Sequence, residues 1–210
     1  MSKLKDFGLY FITDSKLTKK TVLEDVKSAI KAGVKLIQYR EKDASTKQMI
    51  EEAKEIIKLC GNSDVLFLVN DRVDVALAAD ADGIHIGQDD MHYDIARQLL
   101  GKNRIIGVTA HNVEEAAAAE KMVADYVGLS PIFETITKSD AGKACGPSMI
   151  SKVKENIKIP LVAIGGINES NIDEVLGGGA KNIAIISAII GKDDVEMAAK
   201  QFIDRIDSFK

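Results

Sequence analysis

Val65-Leu66-Phe67-Leu68-Val69 runs into Asn70-Asp71-Arg72, and after a helix-length segment from Val73 to Ala81 a second apolar run, Gly83-Ile84-His85-Ile86, leads into Gly87-Gln88-Asp89-Asp90. Short apolar runs bounded by polar turns read as buried strands, and the periodicity between them reads as a short helix. Strand, helix and strand in that order suit a parallel pair. If the two strands are parallel neighbours, Asp71 and Asp90 converge at their carboxyl ends. Such a pair suits Mg²⁺, which often takes only one or two protein carboxylates and fills its other positions with water and phosphate oxygens. A phosphorylated substrate is the corollary. The alternative is that each acid caps the helix that follows it.

The same unit recurs along the chain. Apolar runs occupy Leu9 to Thr13, Leu36 to Arg40, Val65 to Asn70, Gly83 to Ile86, Arg104 to Val108, Tyr126 to Leu129, Leu161 to Ile164 and Ile183 to Ile186. Between them lie amphipathic segments: Val22 to Ala32, ended by Gly33, Thr46 to Leu59, Val113 to Val123, Ile172 to Leu176 and a closing Asp194 to Ile206. Helices alternating with short buried strands call for a parallel sheet. Eight units predict a single-domain (β/α)8 TIM barrel over residues 1–210, close to the lower size limit for that fold, with an open doubly wound sheet as the alternative. No linker or low-complexity stretch divides the chain.

With 210 residues, 46% of them hydrophobic, the chain can bury one sizeable core. A net charge of −4 argues against a nucleic-acid surface and leaves room for a local basic phosphate site. Met1 to Asp6 lacks the apolar core of a secretory signal, and no run of about 18 apolar residues appears. The expectation is a cytoplasmic protein with no membrane partner. Cys60 and Cys145 form no CxxC pair and read as reduced thiols.

In such a barrel the chemistry sits where strands end and βα loops begin. The second strand ends in Gln38-Tyr39-Arg40-Glu41-Lys42, where alternation puts Gln38 and Arg40 on one side with Lys42, and Tyr39 on the other. Inward Gln and Arg are costly to bury without partners, and a pyrophosphate would satisfy them. Alternatively Arg40 and Lys42 pair with Glu41, Asp71 or Asp90 for structural reasons only. Strand five ends in Gly107-Val108-Thr109-Ala110-His111, offering a hydroxyl and an imidazole. The longest loop, from Ser130 to about Pro147, carries Thr135, Thr137 and Lys138 and reads as a lid or anion clamp. Ile164-Gly165-Gly166-Ile167 and Ile186-Ser187-Ala188 follow strands seven and eight, whose loops commonly cradle phosphate with backbone N–H groups. That implies a second phosphate site.

Together these motifs, with Asn70-Asp71-Arg72-Val73-Asp74 and Tyr126-Val127-Gly128-Leu129, resemble thiamine-phosphate synthases from residue 9 to residue 190. The resemblance implies a Mg²⁺-dependent transferase on a (β/α)8 barrel. It would join 4-amino-5-hydroxymethyl-2-methylpyrimidine diphosphate to 4-methyl-5-(2-phosphooxyethyl)thiazole through dissociative loss of pyrophosphate. Carried over motif by motif, it makes Asp71 and Asp90 the metal ligands. It gives Gln38, Arg40, Lys42, Asn70 and Lys138 contacts with the pyrimidine diphosphate, with Tyr39 and Glu41 in the same substrate-binding motif. Thr135, Ile136, Thr137, Gly166, Ile186 and Ser187 would line the thiazole phosphate site. Lys138, Arg40 and Thr109 are the implied catalytic residues. Thr109 departs from the Ser that many members carry, keeping the hydroxyl and adding a methyl. The implied partners are the two small-molecule substrates, with no nucleic acid and no membrane, and with homo-oligomerisation left open.

That chemistry needs no general base, because the thiazole nitrogen attacks with its own lone pair, and it matches a site rich in anion binders without an evident Ser-His-Asp or Cys-His set. His85, within a strand, and His92, at a helix start, read as structural. Two rivals are a thiazole tautomerase on the same barrel using His111, which needs no metal site, and a phosphate-ligand sensor that turns nothing over.

Overall fold

The computed structural model describes residues 4, 6–61, 63–135, 137 and 142–209. Eight parallel strands follow one another around a closed barrel: β1 (Leu9–Ile12), β2 (Leu36–Tyr39), β3 (Leu66–Asn70), β4 (Gly83–Ile86), β5 (Ile105–Ala110), β6 (Tyr126–Leu129), β7 (Leu161–Ile164) and β8 (Asn182–Ile185). Pairing of β1 with both β2 and β8 closes the sheet and excludes the open alternative. The connecting helices are α1 (Val22–Ala32), α2 (Thr46–Cys60), α3 (Val73–Ala79), α4 (Tyr93–Leu100), α5 (Val113–Lys121), α6 (Ser148–Asn156), α7 (Ile172–Gly177), the single turn α8 (Ser187–Ile190) and α9 (Val195–Ser208).

Local chemistry sets the helix ends. Thr21, Ser45, Asn112 and Asp194 each accept a hydrogen bond from a first-turn N–H of α1, α2, α5 and α9, satisfying donors that the helix leaves unpaired. Gly33 ends α1 at φ 101, a conformation that a Cβ penalises.

Alternation along each strand divides the apolar residues into two cores. Outward residues such as Phe11, Ile37, Phe67, Ile106 and Ile183 pack beneath the helices. Inward residues Tyr10, Ile12, Leu36, Leu68, Ile105, Tyr126, Val162 and Ala184 fill the barrel. The inner wall of β4, β5 and β6 carries glycines for a steric reason. A Cβ on Gly83 would lie 2.0 Å from the Ile105 carbonyl oxygen, and one on Gly107 would lie 2.0 Å from Cζ of Tyr126. The Tyr126 ring thus occupies space that a side chain on β5 would take. Among the described residues no helix is long and apolar enough to cross a membrane.

Candidate active site

The carboxyl end of β3 makes an abrupt turn. The Arg72 N–H bonds to the Asn70 carbonyl at 2.7 Å with Asp71 between them at φ 59, a γ-turn of the rare positive-φ kind. Such strain persists only where surroundings enforce it, and here the Asp71 N–H bonds to the His85 carbonyl of β4 at 2.8 Å. The Asp71 carboxylate accepts from Asn70 Nδ2 at 2.7 Å and from Lys42 Nζ at 2.6 Å. Asp90 Oδ2 accepts from the Gly87 N–H at 2.7 Å. Burial and, after it, the neighbouring Asp71 carboxylate push the Asp90 carboxyl above its ordinary value, against the pull of the Gly87 N–H and Lys42. An acid raised in this way by burial and a neighbouring carboxylate gains from a cation brought beside it. Among the described residues no set of three or more acidic, His or Cys side chains gathers into a metal cluster. Two carboxylates alone fit an ion that completes its shell with water and phosphate oxygens.

Beside this pair, Arg40 Nη1 meets Asp14 Oδ2 at 2.5 Å, with the two side chains only 13% and 8% exposed. Asp14 is fixed in turn by the Lys16 N–H at 3.0 Å. The barrel mouth opens into a pocket walled by Ile12, Val162, Ile164 and Ile186, rimmed by Arg40, Asn70 and Thr109, and floored by Tyr10, Tyr126 and His85. That mixture of apolar walls with few polar groups suits a small heteroaromatic ligand. Gln38, inward on β2, donates to the Tyr10 hydroxyl at 2.7 Å.

Across the pocket a second hollow shares Thr135 and Thr137 with the first and adds Gly166, Asn168 and Ser187. Gly165 and Gly166 take φ 103 and 65. A Cβ on Gly166 would come within 2.5 Å of the Glu134 carbonyl oxygen, so glycine lets the loops after β6 and β7 touch. The α8 turn starts at Ser187 without a side-chain cap, so its first N–H groups point where an anion would satisfy them.

The structure therefore brings Gln38, Arg40, Asn70, Thr109, Thr135, Thr137 and Ile186 onto one pocket, and Gly166 and Ser187 onto the adjoining hollow. Lys42 and Asp71 meet beside it. Two expected contacts are corrected. Tyr39 faces outward, where its hydroxyl donates to Glu52 of α2 at 2.6 Å; alternation along β2 leaves it no path to the pocket. Glu41 faces its own loop, accepting from the N–H groups of Lys42, Asp43 and Ala44 at 2.8, 2.7 and 3.3 Å. Its burial would raise the carboxyl, but hydrogen bonds from Ser15 and these N–H groups hold it below its ordinary value. Ile136 and Lys138 lie outside the described residues. Sequence reading missed Asp14, Tyr10 and Tyr126 and took His85 as merely structural. The signal for Asp14 was the in-register placement of β1 on β2, Ile12 beside Gln38, which carries position 14 to position 40.

Comparison with known proteins agrees with this geometry. A family model described as thiamine monophosphate synthase matches residues 9–189. The chain is 54% identical over 205 residues to the thiamine-phosphate synthase of Methanosarcina barkeri, covering 98% of this chain and 93% of that protein. It is 49% identical over 211 residues to the Archaeoglobus fulgidus thiamine-phosphate synthase, covering 100% and 99%. Among solved structures, thiamine phosphate pyrophosphorylase from Pyrococcus furiosus superposes with a TM-score of 0.90 at 42% identity over 97% of each chain. A barrel of this topology, with acids at the ends of β3 and β4 and a glycine cradle after β7, together with identity of this depth over nearly the whole length, places the chain in the thiamine-phosphate synthase family.

Proposed function

We propose that this pocket joins an aminopyrimidinyl-methyl diphosphate, the 4-amino-2-methyl compound, to 4-methyl-5-(2-phosphooxyethyl)thiazole, giving thiamine phosphate and pyrophosphate. The observation that carries this reading is two anion-seeking sites flanking one apolar pocket: Arg40 and Lys42 beside the Asp71 and Asp90 carboxylates, and the Gly166 and Ser187 cradle opposite. Two phosphorylated substrates would meet there with their rings in between.

Asp71 and Asp90 would hold Mg²⁺, which when bound neutralises diphosphate charge and so improves the leaving group. Arg40 offers its planar fork to the same oxygens, and Lys42 adds a point charge. Positive charge then develops on the pyrimidine methylene, where the ring amine donates electron density. The pocket's apolar walls keep water from capturing that centre. The thiazole nitrogen attacks with its own lone pair, so no side chain has to remove a proton to create the nucleophile. Lys138, by family resemblance, assists departure of pyrophosphate. The tautomerase alternative would use the His111 imidazole, whose Nδ1 donates to the Ser130 carbonyl oxygen at 2.5 Å; it needs no metal site, so the Asp71 and Asp90 pair favours the synthase reading.

Incubating the purified chain with both substrates, with and without Mg²⁺, and measuring thiamine phosphate tests the proposal. Asp71→Ala should remove most synthesis while leaving the thermal unfolding transition in place. Mg²⁺-dependent synthesis near the unaltered rate in Asp71→Ala would refute the metal assignment, and no product from the unaltered chain would refute the reaction.

A further inference from the structure

The proposed reaction uses Gln38 and Thr109 as isolated contacts, yet they are the two ends of one hydrogen-bonded chain across the pocket floor. Gln38 Nε2 lies 2.7 Å from the Tyr10 hydroxyl, which lies 3.0 Å from the Tyr126 hydroxyl. That hydroxyl lies 2.9 Å from His85 Nδ1, and His85 Nε2 lies 2.9 Å from Thr109 Oγ1. Tyr10, Gln38 and Tyr126 are at most 2% exposed, so water does not offer them alternative partners.

The chain has a direction. An amide nitrogen can only donate, so the Tyr10 oxygen accepts from Gln38, and its single hydrogen is assigned to Tyr126, its other partner among the described residues. Tyr126 in turn has one hydrogen to give, and it goes to His85 Nδ1. A neutral imidazole that accepts at Nδ1 carries its proton on Nε2, which then donates to Thr109. The Thr109 oxygen is thereby an acceptor within the protein, and its own hydrogen is the one left to offer. Burial pushes the hydroxyls of both tyrosines well above the usual tyrosine value, so each remains a phenol with one hydrogen to place.

The barrel wall is shaped to keep this chain intact. His85 on β4 and Tyr126 on β6 are separated by β5, and their rings stack 5.4 Å apart because the intervening inward position is Gly107. A Cβ on Gly128 would lie 2.9 Å from Cε1 of His85, so a second glycine seats the imidazole.

We propose that Tyr126, acting through His85, holds the Thr109 hydroxyl as a hydrogen-bond donor to the bound heteroaromatic ring, so that this side of the pocket selects an acceptor such as a pyrimidine ring nitrogen and rejects a ring N–H. Tyr126 is then a positioning residue for the reaction, and Tyr10 secures it from the other side. The inference rests on the pocket being the site of the aminopyrimidine.

A double-mutant cycle tests it. Tyr126→Phe keeps the ring and deletes the link, and should lower kcat/KM about tenfold, the scale of one neutral hydrogen bond. Thr109→Val should lower it at least as far. The double variant should be no worse than Thr109→Val alone, because without the hydroxyl Tyr126 has nothing left to orient. Losses that multiply, or an unchanged Tyr126→Phe, would overturn the proposal. Should Tyr126→Phe fail to fold, Tyr10→Phe takes its place in the same cycle. A second measurement needs no turnover: ¹⁵N NMR of the histidine-labelled chain, which has 3 histidines, should find His85 as the Nε2–H tautomer, and Tyr126→Phe should release it into a tautomer mixture. An Nδ1–H tautomer or an imidazolium in the unaltered protein would overturn the relay. Absence of thiamine phosphate from a chain with the expected His85 tautomer would remove the reaction assignment and leave the relay standing.

Discussion

Replacing Asp14 by Asn keeps the shape of the side chain and removes its charge, leaving the Arg40 guanidinium facing an amide where it now faces a carboxylate at 2.5 Å. Stripping one partner from a buried ion pair costs about 3 to 5 kcal/mol, mostly because the other charge stays behind unpaired. The pair lies at the pocket mouth and each side chain keeps some exposure, 13% and 8%, so the lower end, about 3 kcal/mol, applies. In a chain of this size each kcal/mol moves Tm by roughly 2 to 4 °C, which predicts a fall of about 6 to 12 °C. Pyrophosphate should recover part of it. In the unaltered protein the anion competes with Asp14 for Arg40, whereas in Asp14→Asn it meets an unpaired guanidinium. Its stabilising shift, which follows ligand affinity, should therefore be larger in the variant. Thermal melts with and without pyrophosphate and Mg²⁺ measure both quantities. A drop below about 2 °C, or a pyrophosphate shift no larger than in the unaltered protein, would refute the view of Asp14 as a stand-in for substrate.

Asp90→Asn addresses the acid pair. Its folded carboxyl sits above the ordinary value, so the residue favours folding while protonated and loses that contribution as pH rises through the folded pKa. In metal-free buffer Asp90→Asn should melt above the unaltered protein at neutral pH, with the gain vanishing on acidification; a variant less stable at neutral pH would contradict the repulsion. Gly107→Ala forces a methyl to within 2.0 Å of the Tyr126 ring and should cost about 1 to 3 kcal/mol or more by overpacking, readable in a urea titration, where an unchanged midpoint would show that the ring has room to move. Tyr39→Phe should leave kcat and KM within about twofold, since only the bond to Glu52 is lost, and a large fall in steady-state activity would return Tyr39 to the site.

The fold was readable because each strand is a short apolar run closed by polar residues, and because caps such as Thr21 and the Gly33 stop mark helix ends. Two helices are not legible in that way. α6 starts after Pro147 with no side-chain cap, at the end of the long loop. α8 continues the apolar run of β8, so Ile183 to Ile190 carries one pattern through two conformations. Within the site, the residues that could be read were those whose charge or hydroxyl is costly to place at a strand end: Arg40, Asp71, Asp90 and Thr109. Asp14 lies 26 positions from Arg40, and only strand register unites them. Tyr10, Tyr126 and His85 look like core residues in one dimension. Their connection depends on Gly107 clearing the wall between two strands that are not neighbours, which is a steric fact of the closed barrel and has no signature along the chain.

The two cations at the β2 rim are both already held, Arg40 by Asp14 and Lys42 by Asp71. An unpaired guanidinium largely removed from water would destabilise the empty protein, and an untethered lysine would have to lose its rotamer freedom when substrate arrived. Pairing meets both costs before binding, leaving the cations placed with little reorganisation still to come, the condition under which electrostatic stabilisation of a departing anion is strongest. The partners differ in a way that orders the proposed events. Asp14, fixed by the Lys16 N–H, yields Arg40 to a better anion, whereas Asp71 is itself the proposed metal ligand. On that proposal Lys42 would be freed as Asp71 took up the metal, and would be available as a cation for the diphosphate.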